Sequence, residues 1–220
     1  MTRAGRGAVL LVALLVAALV AGCTTTVTGS AVAGAHARPQ QPPSPTTSVP
    51  PPVRTTLGCS GSTKVIQPKG APYCYLLPSG FTDATDQLML NYQSDNPSQY
   101  DTAVAVAVHD VIIVAVYPLR ENSDGLSASV LGDQVSAVLG QGESAGFTVT
   151  GDPTPTTVDN ARAFEIPIKQ NDGQYASSIY FVFRGYTEVE INCQFADHQS
   201  EINTACAAIR SDIEVIDPAR

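Results

Sequence analysis

Residues 175–194 read YASSIYFVFRGYTEVEINCQ, two apolar and aromatic runs, Tyr175–Phe183 and Tyr186–Gln194, on either side of Arg184-Gly185. A short glycine-containing link between two such runs specifies a β-hairpin, and hence antiparallel pairing. In the second run Thr187, Val189, Ile191 and Cys193 share one face by the two-residue period, and Glu188 and Glu190 share the other. Read as a two-residue turn, Arg184-Gly185 places Phe183 opposite Tyr186 and Phe181 opposite Glu188.

The same pattern extends outward. Asn171-Asp172-Gly173 is a second hairpin signal, and it joins Tyr175–Phe183 to a strand over Ala161–Lys169 whose Pro167 suits an edge or a bulge. Further upstream, Thr102–Val108 alternates valine and alanine, His109-Asp110 turns the chain, and Val111–Tyr117 is apolar on both faces, as a central covered strand requires. After Ser123-Asp124-Gly125 the period changes. Leu126, Val130, Leu131, Val135, Val138 and Leu139 form one face of a helix that stops at Gly140. A second helix is expected from about Ser200 to Ile213, with Ile202, Cys206, Ile209 and Ile213 as its buried stripe. Hairpins joined directly, with helices between and after them, specify an α+β fold: one antiparallel β-sheet packed by helices.

Five cysteines occur in the chain. Cys59, Cys74, Cys193 and Cys206 form an even set compatible with two disulfides in three connectivities. Helix packing on the Cys193 face of its strand would bring Cys206 to Cys193, leaving Cys59 with Cys74 to pin the start of the domain to its first strand. Each bridge closes a loop of roughly 15 residues, worth on the order of 3 kcal/mol in the chain-entropy model. No Cys-x-x-Cys spacing is present and His198 is the nearest histidine, so neither a metal nor a cofactor is expected.

The fifth cysteine, Cys23, ends the tetrapeptide Val20-Ala21-Gly22-Cys23. Arg3 and Arg6 precede an uninterrupted apolar run, Ala8–Ala21, of signal-peptide length and short of the roughly 20 residues that span a bilayer. The tetrapeptide looks like a bacterial lipobox, so residues 1–22 are expected to be a lipoprotein signal peptide and Cys23 the lipidated first residue. Residues 23–57 are rich in Thr, Ser and Pro, with Pro39, Pro42, Pro43, Pro45, Pro50, Pro51 and Pro52 crowded together, a composition that suits an extended tether. Residues 58–220 are long enough for a single globular domain. They carry eight Lys and Arg against twenty Asp and Glu, a balance of −12. That excludes the basic stripe of a nucleic-acid binder and direct adhesion to anionic headgroups.

The catalytic signals are weak. Gly142-Glu143-Ser144-Ala145-Gly146 matches the G-x-S-x-G pattern, but it lies between a helix and a strand, the reverse of a nucleophile elbow. His109 beside Asp110 is expected to be an exposed turn residue, and Asp197 and His198 loop and cap residues. No catalytic residue is assigned. Glu188 and Glu190 are expected to point outward from a half-exposed strand. With Phe181, Phe183 and Tyr186 they make a candidate ligand groove for a glycan or lipid headgroup.

Two stretches carry a family resemblance. Cys23-Thr24-Thr25-Thr26-Val27-Thr28-Gly29-Ser30-Ala31-Val32 resembles the mature start of mycobacterial and related actinobacterial lipoproteins. Tyr75-Leu76-Leu77-Pro78-Ser79-Gly80-Phe81, then Val189–Cys193 and a terminal helix carrying Cys206, resemble the layout of small lipoproteins of the LpqN/LpqT type. The resemblance implies a PsbP-like α-β-α sandwich without a known active site, acting as an accessory or binding module of the cell envelope. Only Cys23 carries a functional role across. The expectation is a non-enzymatic lipoprotein, anchored to the outer face of the cell membrane, whose domain binds an envelope protein, lipid or glycan. An envelope hydrolase with an unrecognised site and a purely structural assembly subunit are the alternatives.

Overall fold

The computed structural model describes residues 56–61, 63–87, 98–140, 146–170 and 173–218. The segment expected to be a signal peptide, Cys23, the expected tether up to residue 55, the Asn171-Asp172 turn and Ser144 lie outside these residues. Two short strands come first, β1 (Val65–Ile66) and β2 (Tyr73–Leu76), followed by β3 (Thr82–Asp83), β4 (Gln99–Ala105) and β5 (Val111–Pro118). Helix α1 (Ala128–Leu139) then precedes β6 (Phe147–Val149), β7 (Thr154–Val158), β8 (Ala161–Gln170), β9 (Ala176–Arg184) and β10 (Thr187–Phe195). Helix α2 (Gln199–Asp212) and β11 (Glu214–Val215) complete the order.

The fold is α+β with antiparallel pairing throughout. Eight of these strands form one sheet in the order β3-β4-β5-β10-β9-β8-β6, with β7 also paired to β8. A second, three-stranded sheet, β1-β2-β11, is an addition to the single sheet expected from the sequence. Its strands are two to four residues long, too short to show a period.

Alternation along each long strand divides the apolar side chains between two layers. Ala161, Ala163, Tyr180, Val182, Val189, Ile191 and Cys193 face α2, meeting Ile202, Ala205, Cys206 and Ile209 together with Tyr73, Tyr75 and Val215 of the small sheet. Phe164, Ile166, Ile168, Ile179, Phe181 and Phe183 face the other way, against Leu131, Val135 and Leu139 of α1. Helix α1 starts at Ser127, whose hydroxyl accepts from the Val130 N–H, and it stops at Gly140. Val130 is exposed, so the stripe on α1 is narrower than its sequence implied.

The small sheet is tied down by polar contacts as well as packing. The buried hydroxyls of Tyr73 and Tyr75 lie 2.9 and 3.0 Å from Thr102 Oγ1, and the Tyr73 hydroxyl also donates to the Tyr100 carbonyl. Burial raises both phenols well above their ordinary range. Cys59 is bonded to Cys74 and Cys193 to Cys206, with Cα separations of 6.1 and 6.0 Å.

The hairpin register differs from the one expected. The turn is Gly185-Tyr186, so Arg184 pairs with Thr187, Phe183 with Glu188 and Phe181 with Glu190. Gly185 has φ of 57°, and a two-residue turn with its positive-φ residue in first place is a type II′ choice for glycine. The shift leaves Phe181, Phe183, Glu188 and Glu190 on a common face but moves Tyr186 into the turn. Strand β4 also begins and ends three residues earlier than the alternation suggested, because Val106 and Ala107 turn back to bond the Asp110 carbonyl. Pro167 sits where β7 gives way to β6 along β8, its carbonyl accepting from Thr150 N in that gap.

Opening the Cys193–Cys206 bridge by a Cys193→Ser, Cys206→Ser double substitution is expected to cost about 3 kcal/mol, read from the urea midpoint. An unchanged midpoint would show that α2 is held by apolar packing alone.

Candidate functional site

Strand β10 is bonded to β5 on one edge and to β9 on the other along nearly its whole length. Its α2 face is apolar and its α1 face is not. Glu188, Glu190, Asn192 and Gln194 follow one another at alternate positions on that second face, and all four are buried. Residues two apart on a strand are roughly 6.5–7 Å apart, so the row from Glu188 to Asn192 spans roughly 13 Å.

This corrects the expectation that Glu188 and Glu190 point to solvent. Their strand is interior to an eight-stranded sheet, and they retain only 7% and 8% exposure. On β5, Tyr117 is opposite Glu188, Ala115 opposite Glu190 and Ile113 opposite Asn192. On β9, the corresponding neighbours are Phe183, Phe181 and Ile179. Of the groove residues named from the sequence, the structure therefore brings together Phe181, Phe183, Glu188 and Glu190. Tyr186 stays in the turn, where its N–H donates to Asp217 Oδ1. Tyr117 and Asn192 join the row and were missed, since neither carries a motif.

The polar groups of this row are incompletely satisfied. Asn192 is 1% exposed and neither its Oδ1 nor its Nδ2 has a hydrogen-bond partner; Glu188 Oε1 is also unpartnered. Leaving such a group buried and unpaired costs roughly 1–3 kcal/mol. Gln194, by contrast, donates to the His109 carbonyl at 3.0 Å. Burial pushes the Glu188 carboxyl up to about 7, and burial with the nearby Glu188 and Asp101 carboxyls pushes Glu190 up to about 8. The Tyr117 hydroxyl is raised by burial and then by Glu190, Glu188 and Asp101. Among the described residues, the charges that raise Glu190, those of Glu188 and Asp101, are both negative.

A second polar cluster lies at the far end of β10. Asp110, which with His109 turns the chain into β5, is 2% exposed. Its Oδ1 accepts from the backbone N–H groups of Ala196, Asp197 and His198 at 2.9, 3.1 and 2.8 Å, and its Oδ2 lies 3.2 Å from His198 Nδ1. Burial raises the Asp110 carboxyl, but these donors more than offset it and leave it below the usual carboxylate range. The Asp110 side chain therefore anchors the chain entering α2, a structural role that the sequence assigned to Asp197 and His198 as cap residues. His109 stacks on Tyr175 instead of pairing with Asp110.

Among the described residues, Cys59, Cys74 and Glu214 bring ligand-type atoms close together. Both sulfurs are bonded to each other, and Glu214 Oε2 accepts from the Gly58 N–H, so these atoms are committed to holding the domain's first residues. No helix of the described residues is long and apolar enough to cross a membrane.

Comparison with solved structures finds loose likenesses, among them the following two. The solution structure of cyanobacterial PsbP (CyanoP) from Synechocystis sp. PCC 6803 aligns with a TM-score of 0.48 at 10% identity, covering 72% of this chain and 98% of that one. A crystal structure from Bacteroides thetaiotaomicron VPI-5482 aligns with a TM-score of 0.42 at 11% identity, covering 70% of this chain and 49% of that one, about half its length. No family model matches the chain, and no curated protein matches it in sequence. The α+β assignment rests on the strand order and the two helices, and neither likeness carries a site or an activity to this chain.

The folded-state values of Glu188 and Glu190 both lie above the 4.5 of an unperturbed glutamate. Stabilisation tied to their protonated forms is complete below that value and is lost as pH rises through about 7 for Glu188 and about 8 for Glu190. Glu190→Gln is therefore expected to raise stability above about pH 8 by a few kcal/mol and to change little near about pH 4.5. Urea denaturation across this range checks it; a gain independent of pH would contradict the assignment.

Proposed function

We propose that this protein is a lipid-anchored, extracytoplasmic binding module of the cell envelope, held at the membrane by Cys23 and presenting residues 58–220 beyond a proline-rich tether. The observation that carries this reading is the accounting of cysteines. The four in the folded domain are joined to one another, which suits an oxidising compartment. The fifth stands directly after Val20-Ala21-Gly22, where a lipidation enzyme would need it. The acidic domain fits a tether that keeps it off anionic headgroups, because its balance of −12 is repelled by them.

Binding is favoured over hydrolysis by the way the polar groups are used. Asp110 and His198 form the carboxylate–imidazole contact that a hydrolase would exploit, but Asp110 spends its other oxygen on three backbone N–H groups at the start of α2. The row on β10 offers acceptors and an open amide, the equipment of recognition. The ligand is proposed to be an envelope component recognised at that row.

Cys23→Ala is expected to move the protein from the detergent phase to the aqueous phase on Triton X-114 partitioning and to abolish labelling by a clickable palmitate analogue. Retention of both properties would overturn the anchor.

A further inference from the structure

Resting on the reading of the domain as a binding module, the row on β10 identifies the chemistry of its ligand. Each strand adjoining the row contributes to a site with negative or electron-rich walls. Glu188 and Glu190 supply carboxyl oxygens from β10, with Glu188 Oε1 unpartnered, and Asn192 supplies an unpartnered amide oxygen. Asp101 adds a third carboxyl from β4. Tyr117 from β5 and Phe181 and Phe183 from β9 stand directly opposite the two glutamates. Ala115, opposite Glu190, is the one small side chain among these neighbours.

Charged groups buried without a counter-charge are strongly disfavoured unless a partner completes them. Aromatic faces attract cations, and carboxylates form their strongest hydrogen bonds with charged N–H donors. A hard divalent metal fits less well, because it demands six to eight oxygen ligands and the walls are largely hydrocarbon rings. Glu188 and Asn192, roughly 13 Å apart along the strand, are also too distant to share one ion. A neutral sugar would leave the negative charge uncompensated.

We propose that Glu188, Glu190 and Asn192, walled by Tyr117, Phe181 and Phe183, form a binding site for an organic ammonium group. The glutamates accept its N–H hydrogen bonds, the rings cover its alkyl portion, and Asn192 holds an adjoining polar group. Because the carboxyls must be ionised to hold a cation, binding releases protons and strengthens as pH rises. The ionisable groups that act on the glutamates from neighbouring strands are Asp101 on β4 and Tyr117 on β5, and burial keeps the Tyr117 phenol protonated throughout this range; the facing residues of β9 do not ionise.

Calorimetric titration of the full-length protein in detergent micelles with propylammonium chloride tests this, against sodium chloride at equal ionic strength. Saturable binding is expected at about pH 9, about tenfold weaker at about pH 6, where the glutamates are protonated. Glu190→Gln, which preserves shape and is expected to stabilise the fold, should weaken binding about tenfold, and Phe181→Leu should weaken it less. Thermal melts of both variants confirm that they are folded. Binding that ignores Glu190→Gln, binding that strengthens at low pH, or saturation by calcium chloride or methyl glucoside without propylammonium would each overturn the inference. A failure of all three probes would do the same, while membrane partitioning through Cys23, measured separately, would be unaffected.

Discussion

Two full-length hydrogen-bonded edges on β10 are the constraint around which the molecule is arranged. With β5 on one side and β9 on the other, the strand has no free edge, and alternate side chains are sent into two covered layers. Val189, Ile191 and Cys193 therefore become core beneath α2, and the Cys193–Cys206 bond joins that helix to the middle of the sheet. Glu188, Glu190 and Asn192 are buried by the same geometry, whatever their preference for water. A central strand with one apolar face and one acidic face is costly for folding alone, which is why that face is read as functional.

The periphery supports this arrangement with contacts of ordinary kinds. Arg184, at the end of β9, donates to the carbonyls of Val215 and Asp159 and lies 3.3 Å from Asp159 Oδ2, so it joins the hairpin, the β7–β8 turn and the chain's last strand. Asp159 and Asn160 both take positive φ in that turn, a conformation their short polar side chains tolerate. On the α2 side, Arg210 lies over the Tyr180 ring, while Tyr180 donates to Glu165. These pairs are balanced in charge. The contrast with β10, where carboxyls meet further carboxyls and aromatic rings, is what separates the candidate site from the rest of the domain.

Much of the framework was legible locally. The two-residue period marked β10, an apolar run on both faces marked β5, the hairpin signal at Asn171-Asp172-Gly173 marked β8 and β9, and the change to a helical period marked α1 and α2 within a few residues of their ends. The register of the last hairpin was not, since Arg184-Gly185 and Gly185-Tyr186 are both two-residue links containing glycine. What distinguishes them is whether glycine takes the first or second turn position, and that is settled by the twist of the strands. β7 was missed because Thr154-Pro155-Thr156-Thr157 has almost no apolar content; it exists because β8 offers it an edge. The partnership of Asp110 with the start of α2 joins positions 86 to 88 residues apart, beyond any local signal.

By itself the sequence determined the α+β class, the main strands and helices, the sharing of one face by Glu188 and Glu190, and a lipobox-like tetrapeptide ahead of an acidic domain with an even set of cysteines. Those properties follow from period, spacing and composition, which act over a few residues at a time. Only the tertiary structure decided that the glutamate face is buried, that Tyr117 and Asn192 belong to it, and that the Asp101 carboxyl lies near enough to act on Glu190. Burial is a property of what packs above a strand and beside it, and a strand's own pattern reads the same whether its polar face meets water or the interior.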